Sequence, residues 1–152
     1  KPSEAIHVAM AFALREGGLI APAIHNTDKI GLSDLMKKLA DLGERTRTGG
    51  LKAAELADPT ITITSLGDLG VEEIFPIITP PQVAMIGFGM LSHKPWAVDD
   101  PSTGLRAGKV EVREVIRATL AADHRVSDGR DGALFLSEVK DLLEQVEELI
   151  AS

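Results

Sequence analysis

Apolar and small residues alternate along "IHVAMAFAL", where Ile6, Val8, Met10, Phe12 and Leu14 form the heavier phase. A period of two over this length predicts a strand with one heavier face. "REGG" at 15–18 is turn chemistry, and "LIAPAI" predicts a second strand. Pro22 has no N–H to give to a ladder, so it belongs at a sheet edge or a bulge. "HNTDK" closes the unit. "LSDLMKKLADLGERTRTGG" then changes period: Leu35, Leu39 and Leu42 make an apolar stripe, with Lys37, Lys38, Asp41 and Glu44 off it. That pattern predicts a helix capped by Ser33, favoured at its start by Asp34 and ended by Gly49 and Gly50.

"PTITITSLG" at 59–67 alternates Ile61 and Ile63 against Thr62 and Thr64, a strand signal. "VEEIFPIITPPQ" reads as irregular, because Pro76, Pro80 and Pro81 interrupt it. "VAMIGFGML" predicts a buried strand in which Gly87 and Gly89 permit close backbone approach. "VDDPSTGLRAG" reads as a polar loop, and "KVEVREVIRATLAA" returns to strand chemistry. "ALFLSEVKDLLEQVEELI" predicts a terminal helix with Leu136, Val139, Leu143, Val146 and Ile150 on one face. The order of strand, strand, helix, strands and helix predicts an α/β (α+β) two-layer sandwich, a mixed or antiparallel sheet with helices on one face.

A chain of 152 residues fits one domain with a single core. Aromatic residues are only 3% of it, so Leu, Ile, Val, Ala and Met must build that core. A net charge of −7 argues against non-specific nucleic-acid binding, which needs a basic face. The absence of cysteine excludes disulfides, a cysteine nucleophile and thiolate zinc sites. No apolar run reaches the length of a transmembrane helix, and no signal-peptide pattern opens the chain. A chain that begins Lys-Pro reads as a piece of something longer.

Two motifs fail on inspection. "GLRAGKV" at 104–110 resembles a phosphate-binding loop, but three residues separate Gly104 from Gly108 where four are needed, and Val110 stands where Ser or Thr would hold Mg²⁺. A hairpin loop is the better reading. "HRVSDG" lacks the Asp directly after His-Arg that a kinase catalytic loop requires; Val126 is there. Of the four histidines, His7 is expected in a strand and His25 and His93 in loops, and none forms a pair at metal spacing.

His124, in "AADHRVSDG", sits where an apolar strand ends and an amphipathic helix begins. A histidine there can be reachable by substrate, and its ordinary pKa lets it take a proton from a weak acid such as a thiol. Asp128 can fix the turn or cap the last helix, and Gly129 permits a positive φ. A plain structural turn accounts for the same residues equally well.

"ADHRVSDG" also resembles the H-x-x-x-D-G signature of the acyltransferase component of 2-oxoacid dehydrogenase complexes, relatives of chloramphenicol acetyltransferase. "GGLIAPAIHNTDKIGLSDL", "ITITSLGDLGVEEIFPIITPPQVAMIGFG" and "DHRVSDGRDGALFLSEVKDLL" are similar to the family's segments in the family's order, over about residues 6 to 148. The resemblance implies a chloramphenicol acetyltransferase-like fold and acyl exchange between coenzyme A and a dihydrolipoyl thiol, with no metal. It implies His124 as general base, and Thr64 as hydroxyl donor to the oxyanion where the family has Ser in T-I-S-x-L-G. Ser65 is the alternative donor. It implies Asp128 as support for the turn through a charge pair with an arginine that belongs to the N-terminal portion of the family's domain, outside residues 1–152. Ser65 and Gly129 are expected on the substrate side.

The same resemblance implies that residues 1–152 are the C-terminal portion of a larger catalytic domain, without a lipoyl or subunit-binding domain. It implies a homotrimer or larger core whose active site takes the histidine and the hydroxyl from different chains. Expected partners are a lipoyl domain, coenzyme A and the complex's other enzymes, in bacterial cytoplasm or the mitochondrial matrix. The tail "EELIAS" ends in small residues, which argues against the larger core, and leaves Ile150 as the candidate anchor. Two other readings stand beside the enzyme: a non-catalytic trimeric assembly core, and an acetyltransferase of the chloramphenicol type. "DHR" favours the dehydrogenase-complex branch, and the competent pair His124 and Thr64 favours turnover.

Overall fold

The computed structural model describes residues 3–14, 17–100 and 105–146. Arg15 and Glu16 of the predicted turn, Gly104 of the loop-like motif and Ile150 of the expected anchor lie outside them. In chain order the elements are β1 (Val8–Met10), β2 (Phe12–Ala13), β3 (Leu19–Ile20), β4 (Ala23–Ile24), α1 (Leu32–Thr48), β5 (Ile61–Ser65), β6 (Ala84–Phe88), β7 (Ser92–Asp100), β8 (Leu105–Val115), β9 (Ala118–Ala122) and α2 (Gly129–Glu144). Five of the strands form one mixed sheet in the order β4-β1-β5-β6-β9. β1, β5 and β6 run parallel, and β4 and β9 close the two sides antiparallel.

In β1 and β5 the buried phase is made of small residues, whereas β6 buries Met85 and Ile86. Ala9 is fully buried and Thr62 and Thr64 are nearly so, while Val8, Met10, Ile61 and Ile63 on the opposite phase are half-buried. The heavier face of "IHVAMAFAL" is therefore not the best-covered one, and the run is not one strand. It breaks at Ala11, whose N–H bonds to the Ile63 carbonyl, and continues as β2 paired with β3. Pro22 falls between β3 and β4, buried, with its carbonyl accepting from Met10 N–H. It leaves the edge strand β4 intact, as its missing N–H requires.

α1 ends as the sequence predicts, on Gly49 in the left-handed region at φ 80°. Its start differs. Gly31 is the cap and Ser33 lies inside the first turn, with no side chain capping the helix. Leu42, Gly43 and Thr46 are its buried residues, and a Cβ on Gly43 would touch the Phe12 ring at 3.4 Å. Arg45 ties the end of α1 to the next segment: its guanidinium donates to both Glu55 oxygens at 2.7 Å and to Asp41 at 2.8 Å.

The expected polar loop "VDDPSTGLRAG" is the largest departure. β7 and β8 pair antiparallel over Ser92 to Val115 as a two-stranded ribbon, so strand reaches far into that stretch and includes most of "GLRAGKV". His93 is on β7, 3.6 Å from Glu114, and not in a loop. Lys109 and Arg113 both pair with Glu111 along β8. The alternation of Val110 and Val112 with Lys109, Glu111 and Arg113 gave the strand from Lys109 on, but β7 and the start of β8 were missed because "SHKPWAVDD" carries no regular apolar alternation. α2 packs on β9, with Gly132 placed over Leu120. Leu136 and Val139 of the predicted stripe are half-buried, whereas Leu143 and Val146 are exposed.

Residues 71–83 are irregular, as the three prolines require, and cross the sheet over β6. Gly87 and Gly89 make that crossing possible: a Cβ on Gly87 would meet Ile74 Cβ of the strap at 3.3 Å, and one on Gly89 would overlap the Glu72 carbonyl. The strap is held by Lys94 to Glu72 and Arg117 to Glu73, and by the Thr119 hydroxyl donating to the Ile74 carbonyl. Thr62 Oγ1 donates to Gln82 Oε1 at 2.6 Å at its far end. Between these anchors Phe75 and Ile77 are left 79% and 85% exposed.

Candidate active site

His124 is in the turn that links β9 to α2, and it is exposed. Asp123 organises that turn. Its N–H donates to the Val83 carbonyl, carrying the β6–β9 ladder one step past the strand, and its own carbonyl accepts from Val126 N–H, Ser127 N–H and Ser127 Oγ. Its carboxylate accepts from Arg125 N–H at 3.0 Å, from Arg125 Nε at 2.9 Å and from Arg125 Nη2 at 2.6 Å. The Arg125 side chain and backbone bonds hold the Asp123 carboxyl well below the usual range, at about 2. The His124 ring makes no hydrogen bond among the described residues. It borders an open cleft of about 830 Å³ between the turn and the end of the strap at Ile78 and residues 80–83.

Asp128 is the N-cap of α2. Its Oδ1 accepts from Arg130 N–H at 2.8 Å and from Asp131 N–H at 2.9 Å, and Asp131 Oδ2 accepts from Asp128 N–H in return. This reciprocal box satisfies orphan amides at the helix start. The carboxylate that pairs with an arginine in this turn is Asp123; among the described residues Asp128 has no arginine ion pair. Gly129 is the first residue of α2 and does not adopt a positive φ, so its freedom is not used there.

Thr64 is near the end of β5, 8% exposed, in register with Gly87 of β6 and through it with Thr119 of β9. Its hydroxyl has no hydrogen bond among the described residues. Ser65, one step on and exposed, accepts from Gly67 N–H at 3.4 Å.

The register separates these residues. Ala122, the last residue of β9, pairs with Ala84 at the start of β6, whereas Thr64 pairs with Gly87 near its end. The offset along the strands is roughly 10 Å and the two strand spacings add about 9.5 Å sideways, so His124 lies on the order of 15 Å from Thr64 in one chain. The fold brings His124, Asp123, Arg125 and Asp128 together and leaves Thr64 and Ser65 at the other end of the sheet. Sequence reading used "DHR" only to choose between branches of the family and gave Asp123 and Arg125 no role in the site. The signal was present in an acid and a base flanking one histidine, a spacing at which an Asp side chain can bond the backbone two residues on.

Residues 2–151 match the family model for the 2-oxoacid dehydrogenases acyltransferase catalytic domain. The acetyltransferase component of the pyruvate dehydrogenase complex of Mycobacterium bovis is 40% identical over 86% of this chain, and the succinyltransferase component of the 2-oxoglutarate dehydrogenase complex of Rickettsia bellii is 33% identical over 89%. The chain spans 23% and 32% of those two proteins. Among solved structures, the cubic core of the pyruvate dehydrogenase multienzyme complex superposes with a TM-score of 0.83 at 30% identity, over 97% of this chain and 57% of the other. A dihydrolipoamide acetyltransferase of Azotobacter vinelandii does so at 0.83 and 31%, with the same coverage; a serine, a histidine and an asparagine four positions after that histidine were investigated for their role in its catalytic mechanism.

Proposed function

The chain belongs to the family of 2-oxoacid dehydrogenase acyltransferase catalytic domains, and from that premise we propose that it supplies both halves of a thiol-to-thiol acyl transfer centre, one half at each end of its sheet. The observation that carries this reading is the register: His124 and Thr64 are too far apart to meet in one chain, His124 exposed at one end of the sheet and Thr64, nearly buried, beside the exposed Ser65 at the other. Two copies set end to end place the His124 of one beside the Thr64 of the next. Such a head-to-tail contact closes into a ring, here a trimer.

The chemistry follows from the side chains. Neutral His124 takes the proton of a coenzyme A or dihydrolipoyl thiol, and the thiolate attacks the partner's thioester carbonyl. The negative charge that develops on the carbonyl oxygen accepts a hydrogen bond from the Thr64 hydroxyl, or from Ser65 if the donor lies one residue on. Collapse of the tetrahedral intermediate expels the second thiolate, which recovers the proton from His124. Asp128 holds the start of α2 behind the turn and takes no proton. The histidine and asparagine of the Azotobacter protein share the spacing of His124 and Asp128, which supports the assignment. In this reading residues 1–152 are the C-terminal portion of the catalytic domain. Its acceptor is a lipoyl domain, its partners are the enzymes of a dehydrogenase complex, and its compartment is theirs: bacterial cytoplasm or mitochondrial matrix.

The test is acyl transfer from acetyl- or succinyl-coenzyme A to dihydrolipoamide by the full-length protein and by His124→Ala. Loss of the base should lower kcat by about 10²–10⁴-fold with the assembly unchanged in light scattering. Equal turnover in both would remove His124 from the mechanism. No turnover in either, with the assembly intact, would make the protein an assembly core.

A further inference from the structure

His124 is the one residue of its turn that the turn itself does not use. Asp123 and Arg125 stand on either side of it, and nearly every hydrogen bond of the turn ends on Asp123. The carboxylate bonding Arg125 N–H spans His124, so the backbone of His124 is the middle of a closed loop. The Asp123 carbonyl, taking Val126 N–H, Ser127 N–H and Ser127 Oγ, closes a second loop from the other side. The Asp123 N–H anchors both loops to β6 through Val83. The Arg125 guanidinium then lies along the carboxylate with Nε and Nη2, which stops that carboxylate rotating. The imidazole lines the cleft beside Gln82 and Val83.

We propose that Asp123, acting with Arg125, is a positioning residue that aims His124 into the cleft. The inference rests on the acyl-transfer reading above. Asp123 is not itself a proton carrier, because a carboxylate gripped this way stays ionised throughout the range in which a histidine exchanges protons. Its part is to limit the directions of the ring, so that a thiol bound in the cleft meets a nitrogen already placed.

The acid and the base form a unit, and their removal should be non-additive. In the full-length protein, with acetyl-coenzyme A and dihydrolipoamide as probes, Asp123→Ala should lower kcat by roughly 10–100-fold with KM for either thiol within about two-fold, the scale of a misplaced catalytic group. Asp123→Asn keeps an acceptor for Arg125 N–H and should recover part of that loss. Arg125→Gln should lower kcat in the same sense, and Asp123→Ala with Arg125→Gln should cost no more than Asp123→Ala alone. Additive losses, a change confined to KM, or an unchanged kcat in Asp123→Ala would each overturn the proposal. If Asp123→Ala fails to fold, Arg125→Gln decides alone, since that side chain is 85% exposed and supports no core. His124→Ala in the same assay separates the two ideas: if it is inactive while the Asp123 and Arg125 variants keep full kcat, the acyl-transfer reading stands and the positioning role falls.

Discussion

The Glu72 carbonyl occupies the space that a side chain on Gly89 would need. The strap from 71 to 83 can cross β6 only because residue 89 has no Cβ. Its end at Gln82 and Val83 is also one wall of the cleft in front of His124. Gly89→Ala must therefore push the strap off the sheet or distort β6. We expect a loss on the order of 2 kcal/mol or more, the cost of overpacking against backbone that cannot yield. Urea unfolding of the protein and the variant measures it, and coincident midpoints would show that the strap adapts.

Asp128 serves the helix through its acceptor oxygen. Asp128→Asn keeps that acceptor and loses only a favourable charge at the helix start, so stability should change by a few tenths of a kcal/mol. Asp128→Ala should cost about 1 kcal/mol. Denaturation midpoints of the three proteins separate the cases; equal losses in Asn and Ala would mean that the charge, not the cap, matters.

Thr64 carries a hydroxyl with no partner among the described residues, in a position that is otherwise buried. If it donates to the oxyanion, Thr64→Ser should be nearly neutral, while Thr64→Ala and Thr64→Val should lower kcat by about 10²–10³-fold and leave substrate binding little changed. The alternative is a β-branched residue filling a strand, for which Val is the harmless change and Ser the costly one. Steady-state kinetics of the three variants decide, and an active Val variant would shift attention to Ser65.

Glu55 is held down to about 2 by its bonds from the Arg45 side chain and from Lys52 N–H. A carboxyl whose pKa is depressed in the folded state stabilises the fold above its unfolded value and loses that contribution as pH falls toward the folded one. The tie between α1 and the segment before β5 should weaken between pH 4.5 and about 2, by an amount on the order of 1 kcal/mol once solvent screening is allowed for. Glu55→Gln should be less stable than the parent at neutral pH and lose less on acidification. A stability gap that is the same at pH 3 and pH 7 would contradict this.

Local chemistry was enough for the elements whose signals are carried by neighbours in sequence. Gly49 stops α1 because a positive φ is cheap only without a Cβ, and the prolines of 76–81 keep the strap out of the sheet because they cannot complete a ladder. Asp128 caps α2 because an acceptor stands two and three residues before free amides. The family itself was legible in three segments and their order. Tertiary structure decided the rest, because it depends on what lies across space. Which phase of β1 and β5 is buried depends on the strap and strands laid against them, and Ala9, Thr62 and Thr64 won over their larger neighbours. The second half of β8 was announced by the alternation at Val110 and Val112, but β7 was not, because its place in the ribbon is set by the strand it pairs with and not by a buried face of its own. The grip of Asp123 on Arg125 exists only once β9 stops and the chain turns. The placement of His124 and Thr64 at opposite ends follows from β5 running parallel and β9 antiparallel to β6, a choice of strand direction that no short stretch of residues encodes.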